Sequence, residues 1–131
     1  VRTPREGGFV REAKNVTRYR WLVFTNCTPG READFNRWYD EVHIGDLLRV
    51  PGVVAARRAR LAEAQMSLAT GEFELCGPEE IGARFRFVAI YEIEADDPTA
   101  VLREIKRRAN TPEMEISPHL AEAFPLLYQD C

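Results

Sequence analysis

The chain has two histidines, His43 and His119, and only His43 stands among residues that could use it. It follows the aromatic residues Phe35, Trp38 and Tyr39 and is flanked by Asp40, Glu41 and Asp46. Imidazole titrates near neutral pH, so a histidine at the margin of an apolar face can act as general acid or base, moving a proton between carbons beside a carbonyl or phenol. The bland alternative is a histidine bonded to a backbone carbonyl. Tyr39 lies four residues earlier, on the same helix edge. It could donate to a substrate oxygen or hold the His43 tautomer, or simply keep its hydroxyl at the surface. Arg57 interrupts an apolar strand face and could bind a carboxylate or stabilise an enolate; equally, its stem packs and its guanidinium pairs with a nearby acid. Asn26 ends a strand, as an oxyanion donor or a plain turn residue. Trp38, Phe24 and Phe87 could line a cavity for an aromatic substrate, although aromatics at such spacings more often make core.

Other chemistries find little footing. Asp40 and His43 are one turn apart without a third ligand, so no metal site is expected. Gly7 and Gly8 do not follow a strand, and no phosphate loop or dinucleotide fingerprint is present, so no cofactor is expected either. A net charge of -3 gives no reason to expect nucleic acid. No apolar run is long enough to span a bilayer, and the first residues carry no signal-peptide core. Three cysteines, Cys27, Cys76 and Cys131, lie far apart. The odd count argues against a disulfide framework and for a reducing, cytoplasmic setting.

The elements that must position these residues follow from periodicity. The 131 residues fit a single domain, with residues 1–17 read as a loose N-terminal arm. Residues 18–27 are aromatic and β-branched, the composition of a buried strand. Thr28 and Pro29 read as cap and first position of a helix running to about Leu48, with Phe35, Trp38, Tyr39, Val42 and Leu47 inward and Asp46 toward water. Pro51 and Gly52 stop it. Residues 53–61 read as a second strand, with Val53, Ala55, Arg57, Ala59 and Leu61 on one face and Val54, Ala56, Arg58 and Arg60 on the other. Residues 62–83 are punctuated by glycine and read as a short hairpin or lid loop. Residues 84–93 alternate as a strand that keeps Phe85 with Phe87, Ala89, Tyr91 and Ile93. Asp97 and Pro98 open a second helix, and residues 123–128 read as a last strand placed at an edge by Pro125. The order β-α-β-β-α-β is the ferredoxin-like α+β pattern, an antiparallel sheet with both helices on one face. The other face carries apolar side chains that a second copy would cover, so a homodimer is expected.

The run from Phe35 to Ile44, then Leu47 and Leu48, then Val50 to Val53, and Ala56 to Arg58, resembles the EthD-like branch of the dimeric α+β barrel superfamily. The likeness covers roughly residues 21–61. It implies a small cofactor-independent isomerase, cyclase or quinone-forming monooxygenase, with haem-degrading and accessory proteins also known in the superfamily. Muconolactone-type isomerases are similar in placing a histidine on the first helix before a Pro-Gly turn, which makes His43 the residue carried over. The expectation is proton transfer on a small cyclic or aromatic carbonyl compound, by an isomerase, cyclase or lyase. The alternatives are a cofactor-free monooxygenase on a phenol and a non-catalytic binding or accessory protein.

Overall fold

β1 (Arg18–Cys27) is the hub of the sheet. β5 (Phe87–Glu94) lies on one side of it, β6 (Leu120–Gln129) on the other, and β2 (Val53–Arg60) outside β5, giving the order β2-β5-β1-β6 with every pair antiparallel. The computed structural model that shows this describes residues 16–131, and the expected N-terminal arm falls outside them but for its last two residues. A long helix, α1, spans 32–48, and α2 spans Pro98–Arg108. Setting aside a small hairpin, β3 (Gln65–Ser67) with β4 (Glu74–Cys76), the order is β-α-β-β-α-β, compatible with a ferredoxin-like α+β fold.

One sheet face carries the core. Val23, Val53, Ala89, Tyr91 and Ile93 meet Phe35, Tyr39 and Leu47 of α1 and Val101 and Ile105 of α2. α2 forms where expected. The Asp97 carboxylate accepts the Thr99 backbone N–H at 3.0 Å, Pro98 fits the first turn, and Lys106, Arg107 and Arg108 sit at the negative end of the dipole. Gly52 turns the chain between α1 and β2 at φ +100°, where a Cβ would come 2.9 Å from a Val101 methyl. On the opposite face Leu22, Phe24, Val88, Ile90 and Leu126 are only half-buried, and no helix among the described residues covers them.

Four local readings need correction. Thr28 does not cap α1. Gly30 takes φ +84°, a left-handed conformation that cannot be helical, so the helix starts at Glu32 behind Arg31, which makes no side-chain cap. Val42 is 44% exposed and Asp46 is buried, the reverse of the expected stripe; a π-helical turn over Tyr39–His43 rotates Val42 outward and His43 inward. The faces of β2 are exchanged beyond Val53. A bulge between Val53 and Ala55 shifts the register, so that Ala56 pairs with Tyr91 and Arg58 with Ala89. Arg58 therefore joins the core side and Arg57 points the other way. Phe85 precedes β5 and leaves the Phe87 face, stacking instead on Phe124 with ring centres 6.0 Å apart.

Candidate functional site

The inward residues of α1 are Phe35, Tyr39, His43 and Leu47, each four positions after the last. An α-helix at 3.6 residues per turn drifts off such a repeat. The π turn over Tyr39–His43 widens the helix enough to hold the line, and single π turns inside α-helices often mark functional sites.

His43 is 9% exposed. Its ring stacks on Trp38 at 4.5 Å and 22°, and meets Tyr39 edge-on at 5.0 Å. Trp38 is fixed in turn by its indole N–H, which donates to the Glu115 carbonyl at 3.1 Å. His43 Nδ1 is fully enclosed and has no hydrogen-bond partner. Burial brings the imidazole pKa down to about 4; Asp46 opposes the shift and the Arg58 cation adds to it. His43 is thus neutral at pH 7, a base-form imidazole.

Tyr39 is almost fully enclosed, and its phenol oxygen is 3.5 Å from that of Tyr91, a long hydrogen bond in which Tyr91 donates. Burial raises the pKa of both phenols. Over the Tyr39 ring, 4.3 Å from its centre, lies the Arg58 guanidinium, a cation–π geometry. Nη1 of Arg58 donates to Asp40 at 3.0 Å and Nη2 to Asn36 at 2.9 Å. Its Nε is enclosed and unpartnered. Only 12% of this side chain meets solvent. Phe87 and Phe35 complete the cage, 5.4 and 5.7 Å from the guanidinium carbon.

A cleft of about 420 Å³ opens between α1 and β2. Its wall includes Asn36, Asp40, Ile44, Arg58, Arg60 and Phe87, with Arg57 at the strand edge. Three arginines against one aspartate make it positive, which suits an anion with an apolar body. A second cavity of about 750 Å³ at the sheet end shares Asn36, Arg60 and Phe87 with it. His43 is in the wall of neither cavity; it stands behind Tyr39.

Of the residues singled out from the sequence, His43, Tyr39, Trp38 and Phe87 come together on the helix side. Arg57 is exposed and on the other face by register, so the arginine among the aromatic rings is Arg58. Phe24 belongs to the open face, beside Phe85 at 6.1 Å. Asn26 is taken up as a clasp. Its amide N–H groups donate to the Arg84 carbonyl at 3.0 Å and to Glu122 at 2.9 Å, and its oxygen accepts the Arg86 backbone N–H. Asn36 and Arg58 were not anticipated, and Asp40 was considered only as a metal ligand. The Arg57–Arg58 doublet was the available signal, but a bulge one turn upstream decides which arginine enters. Among the described residues no group of three or more His, Cys, Asp or Glu comes together to hold a metal, and no helix is long and apolar enough to cross a membrane. In comparisons with known proteins, no family model, no curated protein and no solved structure matches this chain.

Proposed function

We propose that the cleft between α1 and β2 binds a small cyclic or aromatic carbonyl compound carrying an anionic group, and that His43 moves a proton on it without a cofactor, as in an isomerase, cyclase or lyase. The observation that carries this reading is the pair of unpartnered nitrogens, His43 Nδ1 and Arg58 Nε, enclosed around Tyr39. A structural histidine would spend Nδ1 on a backbone oxygen, since a buried polar atom left unpaired costs ~1–3 kcal/mol. In this reading the ligand anion meets Arg58, with Arg57 and Arg60 at the mouth. Its charge would offset the Arg58 cation, the smallest of the causes acting on the His43 imidazole, while burial still holds its pKa down. Tyr39 lies between the two groups, and its ring positions the Arg58 guanidinium. The open sheet face is assigned to a homodimer, because its half-buried apolar side chains would be covered by a second copy. Three free cysteines fit a cytoplasmic setting.

A second reading has one observation in its favour. His43 is enclosed and outside both cavity walls, which suits a binding or accessory protein that uses only the arginine cleft. Proton exchange separates the two. Cyclic ketocarboxylates are incubated with the protein in D2O, and loss of the C–H signal beside the carbonyl is followed by NMR. Catalysis predicts exchange that His43→Gln slows by ~100-fold or more at unchanged affinity, while Arg58→Lys weakens affinity. Binding without exchange leaves the accessory reading, and absence of both ends the cleft as a site for this class.

A further inference from the structure

The β3–β4 hairpin is the one described element whose apolar side chains have nothing to pack on. It forms its own two-stranded sheet, packing on neither the main sheet nor a helix to any extent. Met66 stands opposite Leu75 in the register, and Leu75 is 84% and Phe73 73% exposed. A lone two-stranded ribbon is marginal in water, and a cluster of exposed large apolar residues marks a contact surface. The same segment is charged with one sign. Residues 62–83 contain Glu63, Glu72, Glu74, Glu79 and Glu80 and no lysine or arginine, which leaves the rest of the chain net positive.

The complementary surface is on the same chain. The open sheet face offers Leu22, Phe24, Ile90 and Phe124, with Arg57 on the face and Arg86 at its end. Neither arginine has a carboxylate partner among the described residues. The hairpin does not lie on its own sheet, because its side chains remain exposed in the single chain. A surface and its complement on one molecule, used reciprocally, give a closed two-fold pair.

We propose that the hairpin is a docking arm: in a pair of chains, each arm lies on the open sheet face of the other, with Phe73 and Leu75 on its apolar residues and the glutamates toward Arg57 and Arg86. The arm leaves β2 at Arg60 and returns to β5 at Phe87, both in the wall of the larger cavity. Docking would therefore set how open that end of the cleft is. This rests on the dimer assigned above to the open face, and the test treats the two separately.

The full chain is studied by sedimentation velocity between 0.1 and 10 μM (about two decades, the range where an obligate pair and a loose one differ). Four proteins are compared: wild type, Phe73→Ser with Leu75→Ser, Phe124→Asp, and a chain with a photo-crosslinking residue at position 73. Phe73 and Leu75 are exposed, so their replacement leaves the monomer fold intact by circular dichroism. The expected result is a dimer weakened at least ~10-fold by the arm variant and also by Phe124→Asp, with 50 mM to 500 mM salt weakening it further, roughly as screening requires. The cross-link from position 73 should join two chains and map to β1 or β6 of the other. Weakening by Phe124→Asp alone, or a cross-link confined to one chain, overturns the arm while the sheet dimer stands. A monomeric wild type overturns both.

Discussion

Burying a histidine that must stay neutral makes stability depend on pH, and the size of that dependence follows from the structure. His43 is held at a pKa of about 4 in the folded chain against 6.5 for a free imidazole. Above pH 6.5 both folded and unfolded imidazoles are neutral and nothing changes. Below it the unfolded chain takes up the proton first, so stability drains as pH falls, and the loss is complete once the folded form protonates near pH 4. At ~1.4 kcal/mol per pH unit, the full loss is about 3 kcal/mol, a large part of the ~5–15 kcal/mol of a typical domain. His43→Leu removes the titrating group. At pH 7.5 it also removes an unpartnered nitrogen and the stack on Trp38, opposing effects that should leave it within ~1 kcal/mol of wild type. Urea unfolding of both proteins from pH 7.5 to 4 is the assay. Carboxylates that weaken the fold in acid, such as those paired with arginines, act alike in both and cancel in the difference. The variant should gain on wild type steadily below pH 6.5, by about 3 kcal/mol at pH 4. Parallel curves, or the His43 imidazole itself seen by NMR to titrate near 6.5 in the folded chain, would refute the enclosed neutral His43.

Gly52→Ala should lower the melting temperature by several degrees, seen by calorimetry, because an alanine at φ +100° is strained and its Cβ would be 2.9 Å from Val101. Gly30 and Gly71, with open space around them, are the controls for strain alone and should lose less. Tyr39 and Tyr91 should stay protonated well above pH 10, since burial raises both phenols. Unfolded phenols ionise first, so stability should fall as pH rises past about 10, and ultraviolet titration should show these two tyrosines ionising only as the chain unfolds.

Much of the frame could be read from the chain because its signals are local. β1 and β5 have alternation over many residues, α2 has Asp97, Pro98 and a basic last turn, and Pro125 sits in an edge strand as its missing N–H requires. The errors come from single residues that shift phase. Gly30 delays α1, the π turn puts Val42 outside and His43 inside, and the bulge after Val53 exchanges Arg57 for Arg58. None of these changes composition or average spacing, so periodicity cannot detect them. His43 and Tyr39 were legible as a pair because they are four residues apart on one helix, and the π turn brings Trp38, five residues before His43, against the same imidazole. The arginine came from another strand, and its partner was set by a register that only pairing decides.

The π turn of α1 acts like a one-letter insertion in a text read in steps. Everything before Tyr39 is in one frame and everything after His43 in the next, offset by roughly 100° of helix rotation. Straightening 39–43 into an ordinary helix with every residue kept would turn Val42 inward and carry His43 and Leu47 off the buried side, whereas losing one of residues 40–42 would restore the ordinary helix and leave His43 and Leu47 inward. A chain one residue shorter here could hold the same inward residues, the histidine beside Tyr39 included, with no π turn at all. In this helix, a one-residue gap at the π turn should therefore weigh less than replacement of an inward residue when sequences are judged to share the site.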